Sequence, residues 1–308
     1  MVEPLRARRL LLTAPRTFAW EEVSLPPPAP GEVRVRTRLS AVSVGSELAV
    51  VEGRVPGWVY PGRLGYQTLG VIEAVGEDVP LAPGTRVVTT LGHAGAGLHR
   101  ASSVLPVPAG IPDRVALAAI LGEETHKGLR KVVPQPGERV LVAGAGLLGL
   151  LTVFNLTRRG VRDVTVLEPE AERRALAHEF GAVSALSPGG LPQDAFDVGF
   201  ECSASPDGFA ELLEHLRPGG RVCVLSDGNW GTLRLPPAFH TRELSVTASS
   251  DGEDYAAYAR WLWQHADPVL ARLFEATVTP DDLPAAFGTL LTLPRPVSLV
   301  AEWLGEEA

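Results

Sequence analysis

The chain has little with which to cross-link itself: among 308 residues there are two cysteines, Cys202 and Cys223. That count excludes a disulfide-stapled fold and leads to an expectation of free, buried thiols in a reducing compartment. Lysine is almost missing too. Of the 28 basic residues only Lys127 and Lys131 are lysines, and acidic residues outnumber basic ones to give a net charge of −8. No basic block stands out, so no nucleic-acid partner is expected. No apolar run approaches the roughly 20 residues that span a bilayer, and no membrane association is expected. The opening Met1-Val2-Glu3-Pro4-Leu5-Arg6 lacks the order of a secretory signal, so the expected location is cytoplasmic.

What is present is ordinary for a globular protein: 45% apolar and 21% charged residues, in a chain long enough for two domains with substantial cores. Residues 1–112 are β-rich. Glu32 to Leu39 alternates with period two, as a half-buried strand does, and Val71–Gly76 and Arg86–Thr90 read as further strands. Short strands punctuated by Gly and Pro predict a barrel-like domain. From about residue 113 the pattern changes. Val115–Val132 has helical spacing, and strand and helix signals then alternate: 138–143, 147–158, 163–168, 170–180, 196–200, 207–216, 220–225, 244–247 and a helix over 254–265. That alternation predicts a doubly wound parallel sheet. Pro218-Gly219-Gly220 reads as a turn feeding the strand at 221. The tail carries a helix near 281–291 and a strand at 297–301, expected to return to the first domain. The expected domains are thus 1–114 with 268–308, and 115–267.

The richest stretch is Val140-Leu141-Val142-Ala143-Gly144-Ala145-Gly146-Leu147-Leu148-Gly149, followed by the strand Val164-Thr165-Val166-Leu167-Glu168. A strand, a GxGxxG turn, a helix and an acid ending the next strand form the fingerprint of a dinucleotide-binding unit. Gly144 allows the tight turn, Gly146 lets backbone approach a pyrophosphate, and Gly149 lets helix and strand pack closely. The helix N-terminus, at Leu147 and Leu148, offers free N–H groups to the phosphates. Glu168 can accept from both ribose hydroxyls and would repel a 2′-phosphate, which points to NAD. Arg173 leaves NADP possible.

With both halves in view, the chain resembles the medium-chain dehydrogenase/reductase (alcohol dehydrogenase-like) superfamily. The matching segments are Ala41–Glu47, Gly65–Ile72, Pro83–Val87, His93-Ala94, Pro106–Pro108, the glycine motif and Arg217–Val222, in that order. The resemblance implies a GroES-like β-barrel catalytic domain, a Rossmann nucleotide domain, a cleft between them and a homodimer. Within the superfamily, Ser43–Glu47, Tyr60–Gln67, Phe239-His240, Glu243-Leu244 and Ser249-Ser250 resemble a zinc-poor branch that includes bacteriochlorophyllide dehydrogenase-like proteins.

The departures carry information. Zinc members place Cys where this chain has Val44 and His-Glu where it has Tyr66-Gln67; a third ligand position matches Glu123. Valine cannot bind Zn²⁺, and one carboxylate cannot hold a catalytic zinc. The four-cysteine structural zinc lobe is missing too, so no zinc is expected. A side chain or a backbone donor must then serve the substrate oxygen. Ser46 matches the superfamily's hydroxyl relay position, though a serine there also closes turns. Tyr66 could donate its phenol proton, or simply line a cleft. Glu123 and Lys127, four apart on a helix, could form a charged pair at the nicotinamide or a solvated salt bridge. His126 is a weaker acid candidate. For His93 a hydrogen bond to backbone is the expectation, and for Cys202 a packing role. The expected activity is zinc-independent hydride transfer between NAD(H) and an alcohol/carbonyl or activated alkene. Two alternatives are a zinc-dependent alcohol dehydrogenase with substituted ligands and a non-catalytic dinucleotide-binding sensor or partner protein.

Overall fold

The computed structural model describes residues 3–226 and 232–303. The chain divides into two compact units, Met1–Leu117 with Ala259–Ala308, and Ala118–Tyr258. The boundaries expected from sequence lay at 114/115 and 267/268. The fold is mixed α/β, with a GroES-like N-terminal unit and a Rossmann-type unit with a parallel sheet.

The first unit contains β1 (Leu5–Ala14), β2 (Thr17–Leu25), β3 (Glu32–Ala41), α1 (Val44–Val51), β4 (Gly62–Arg63), β5 (Gln67–Val75), β6 (Arg86–Thr89), β7 (Ala96–Arg100), β8 (Leu105–Pro106) and α2 (Asp113–Ala116). The alternation in β3 does what period two dictates. Val33 and Val35 are fully buried, while Arg34 reaches Glu73 at 3.0 Å and Arg38 reaches Asp113 at 3.1 Å. β3 is the spine of the larger sheet: it pairs antiparallel with β5 and with β7.

In the second unit α3 (Ala119–Val132) leads to β9 (Arg139–Ala143), α4 (Leu147–Arg158), β10 (Asp163–Leu167), α5 (Ala171–Glu179), β11 (Ser184–Leu186), β12 (Phe196–Glu201), α6 (Pro206–Glu214), β13 (Leu216–Val224), α7 (Pro237–Thr241) and β14 (Ser245–Ala248), and the unit ends within α8 (Tyr255–Gln264). The six strands run parallel in the order β11-β10-β9-β12-β13-β14. The order reverses between β9 and β12, so the C-terminal ends of these strands form the crevice where such sheets bind ligands. The chain then returns to the first unit through β15 (Ala276–Val278), α9 (Leu283–Leu290) and β16 (Leu299–Glu302), and β16 pairs with β3.

Two expectations are corrected. The single helix over 115–132 is two helices, α2 and α3, separated at Leu117-Ala118. Residues 115–121 are all buried, so no polar face marks the break in sequence. Pro218-Gly219-Gly220 lies inside β13 rather than before it; Gly219 adopts φ +75° and the register against β12 shifts there, a bulge that absorbs the turn-forming residues. Among the described residues no helix is long and apolar enough to cross a membrane.

Candidate functional site

The glycine turn is built as its residue types require. Gly144 holds φ +96°, and a Cβ there would lie 2.9 Å from the Ser203 Cα. A Cβ on Gly149 would lie 1.9 Å from the Gly144 carbonyl oxygen, so only glycine lets α4 pack on the turn. Gly146 is different. It is the extended N-cap of α4, and a Cβ there meets only the Arg173 Nη1, at 3.9 Å. That open space, beside Leu147 and Leu148 in the first turn of α4, fits a pyrophosphate. Arg173 also faces Glu170, 3.5 Å from its carboxylate.

Glu168 follows β10 and is buried. Its Oε2 accepts from Ala145 N at 2.8 Å and its Oε1 from Glu170 N at 3.0 Å. The acid therefore ties the second strand to the glycine turn. Each oxygen keeps a lone pair for a ribose hydroxyl, so these residues fit a dinucleotide. Sequence reading did not single out Glu201, at the end of β12. Its buried carboxylate accepts from the Ser203 hydroxyl and amide, the Ala204 amide and the Ser226 hydroxyl, and so closes the loop beneath Gly144. Cys202, next in sequence, is 3.7 Å from the Thr152 hydroxyl, and burial pushes its thiol well above the ordinary range. Both cysteines are free.

Glu123 and Lys127 do not pair. Lys127 Nζ donates to the Ser250 carbonyl at 3.0 Å. Glu123, with no exposed side-chain surface, accepts from Arg130 Nη2 at 3.0 Å and from the Glu253 and Asp254 amides, and faces His126 Nδ1 at 3.0 Å. Burial alone would raise its carboxyl, but the hydrogen bonds from His126, Arg130 and the two amides hold it down at about 2. A carboxylate so saturated is a poor proton acceptor and an anchor for the loop after β14. Four-residue spacing put Lys127 on the right helix face but could not reveal that Arg130 reaches Glu123 first.

In the first unit, three hydroxyls meet. The Tyr66 hydroxyl lies 2.7 Å from Ser43 Oγ and 2.9 Å from Ser46 Oγ, and the two serines are 2.9 Å apart. The N-terminus of α1 supplies the serines, and Gly65, at φ +84°, turns Tyr66 toward them. Behind this triangle lies a buried chain that sequence reading missed. Glu47 accepts from Ser43 N at 2.7 Å, and its other oxygen meets His93 Nε2 at 3.0 Å. His93 Nδ1 is 2.8 Å from Ser40 Oγ, which accepts from Trp303 Nε1 at 2.9 Å. Both ring nitrogens of His93 thus meet side chains and, among the described residues, no backbone group, contrary to expectation. The only signal in the sequence was its place in a matching segment.

A zinc ion does not fit the positions where zinc members of the superfamily hold one. Val44 offers no donor, a neutral tyrosine hydroxyl is a poor zinc ligand, and Glu123 is saturated by Arg130, His126 and two backbone amides. Among the described residues no group of three or more His, Cys, Asp or Glu is arranged to hold a metal ion.

Comparison with known proteins agrees with this architecture. Residues 29–109 match the alcohol dehydrogenase GroES-like domain, and residues 148–264 match the zinc-binding dehydrogenase family. The starvation-sensing protein RspB of Escherichia coli K12 is 30% identical over 286 residues, covering 79% of this chain and 83% of its own. The 2-desacetyl-2-hydroxyethyl bacteriochlorophyllide A dehydrogenase of Cereibacter sphaeroides is 25% identical, covering 97% of this chain and 99% of its own. The crystal structure of RspB from E. coli CFT073, complexed with NADH, superposes with a TM-score of 0.83 at 21% identity, covering 96% of this chain and 99% of that one.

Proposed function

Because this chain belongs to the alcohol dehydrogenase-like medium-chain dehydrogenase/reductase superfamily, and so is an NAD(P)-dependent dehydrogenase, we propose that it interconverts an alcohol and a carbonyl with NAD(H), using side-chain hydroxyls in place of zinc. The observation that carries this reading is the Ser43–Ser46–Tyr66 triangle, with Tyr66 standing where a zinc member has a metal-ligating histidine. When bound, the nicotinamide supplies or accepts the hydride. The chain must hold the cofactor and manage one proton. Tyr66 would donate its phenol proton to the carbonyl oxygen during reduction and take it back during oxidation. Ser46, within hydrogen-bond distance, stabilises the phenolate that this leaves. Gly144, Gly146, Leu147, Leu148 and Gly149 would hold the pyrophosphate, and Arg173 would flank the nucleotide.

The carboxylate of Glu168 favours NAD over NADP, since a 2′-phosphate would face it. Activated alkenes belong to the same reaction class and are a second substrate group to test. The RspB structure holds NADH and a similar dehydrogenase structure from Sinorhizobium meliloti holds NADP, which supports a nicotinamide dinucleotide without choosing between the two.

The test is turnover of chelator-treated protein. Reduction of acetophenone, cyclohexanone and acetoin by NADH is followed at 340 nm (reduced nicotinamide absorbance), with and without added Zn²⁺. Turnover that ignores zinc, and a fall in kcat of about 100-fold or more in Tyr66→Phe, are expected. Zinc-dependent turnover, or full activity in Tyr66→Phe, would overturn the reading. Glu168→Ser should gain NADPH binding by fluorescence titration; no gain would remove the NAD assignment.

A further inference from the structure

We propose that Glu47 and His93 are a neutral-histidine positioning pair that fixes the Ser43–Ser46–Tyr66 triangle in register. This deepens the reading above and rests on it. The pair holds both sides of the triangle. On one side Glu47 binds the Ser43 amide, which locks the first turn of α1 where both serines sit. On the other, the His93 ring abuts Gly65, the residue before Tyr66: a Cβ on Gly65 would lie 3.0 Å from His93 Cδ2. His93 is itself held by its backbone, whose amide donates to Leu64 and whose carbonyl accepts from Leu10. Phe287 meets the ring edge-on at 5.9 Å.

The proton positions follow from donor chemistry. The Trp303 indole can only donate, so Ser40 Oγ accepts from it. Ser40's own proton is then free for the acceptor 2.8 Å away, His93 Nδ1. The arrangement that gives the buried Ser40 proton an acceptor leaves Nδ1 unprotonated and puts on Nε2 the hydrogen that Glu47 accepts. Every group in the chain from Trp303 to Ser43 is satisfied with a neutral imidazole and an ionised carboxylate. A cationic His93 would instead donate to the second lone pair of Ser40 Oγ and take away the acceptor of the buried Ser40 proton. The chain ends at a backbone amide, which does not relay protons, so the pair acts by geometry and not as a proton wire.

This arrangement predicts which substitution rescues which. Glutamine can reproduce the neutral tautomer, since its Nε2–H donates to Glu47 and its Oε1 accepts from Ser40. Phenylalanine fills the space and strips both contacts. The experiment uses full-length protein with ¹³Cζ-labelled tyrosine and ¹⁵N-labelled histidine, with resonances assigned through Tyr66→Phe and His93→Phe. In the wild type, His93 should show protonated Nε2 and unprotonated Nδ1. The Tyr66 resonance should move in His93→Phe and stay in place in His93→Gln. On the fastest ketone of the panel, kcat should fall roughly tenfold to a hundredfold in His93→Phe, as for a displaced reacting group, and change less than about threefold in His93→Gln. An unmoved Tyr66 resonance in His93→Phe, or equal damage in both variants, would overturn the proposal. If His93→Phe does not fold, Ser40→Ala takes its place: the Tyr66 resonance should move there too, and no movement counts against the pair. Full activity in Tyr66→Phe would instead sink the hydroxyl reading while leaving the NMR outcome to judge the pair.

Discussion

Gln67 is fully buried, and among the described residues neither its side-chain oxygen nor its nitrogen has a hydrogen-bond partner. A buried amide without partners carries its desolvation cost uncompensated. Gln67→Met, of similar length and without polar carbonyl or amide, should therefore raise stability by roughly 1–3 kcal/mol, read from the urea midpoint at constant slope. A loss of stability would mean that the amide has a partner in solution. The neighbouring Tyr66 shows the opposite economy, with its hydroxyl committed to two serines. Residue types at both positions were visible as departures from the zinc pattern. The partners of Tyr66 were not, because contacts across 20 or more residues depend on how β3, β5 and α1 come together.

At the scale of the element, the glycine turn separates two kinds of glycine. Gly149→Ala would push a methyl against the Gly144 carbonyl and should destabilise the fold by about 1–3 kcal/mol. Gly146→Ala has room, so its melting temperature should stay near wild type while NADH binding weakens roughly tenfold. Fluorescence titration beside thermal melts distinguishes them; equal effects in both assays would mean that Gly146 is not a phosphate cradle. α3 makes a second prediction. The folded-state carboxyl of Glu123, at about 2, lies below its ordinary 4.5. Its stabilisation is therefore complete above the unfolded value and lost as pH falls from about 4.5 toward 2. Glu123→Gln should flatten that acid limb in urea melts at pH 6, 4 and 3. An unchanged slope would show that the carboxylate is not the anchor of the loop after β14. The helix itself was legible from its spacing, and the break before it was not, because a wholly buried run has no periodicity to interrupt.

For the whole molecule, a homodimer acting on a small-molecule substrate remains a proposal taken from the superfamily resemblance. Sedimentation equilibrium should return twice the 32.7 kDa chain mass. A single-chain mass across micromolar concentrations would end it. The net charge of −8 fits a protein without a nucleic-acid partner, and binding to DNA cellulose at moderate salt is not expected.

The alternation of strands and helices after residue 138, the parallel sheet, the turn at Gly144–Gly149 and the acid at Glu168 were largely set by local pattern: period two, period 3.6, and glycine where backbone must turn or approach. The missing zinc ligands were likewise plain at Val44 and Tyr66. Tertiary structure alone decided that Glu123 is an anchor and Lys127 a loop clamp, that three hydroxyls converge, and that His93 stands behind them. Those are long-range polar contacts. Their energy depends on distance and burial, and a single chain of letters records neither before the strands are placed side by side.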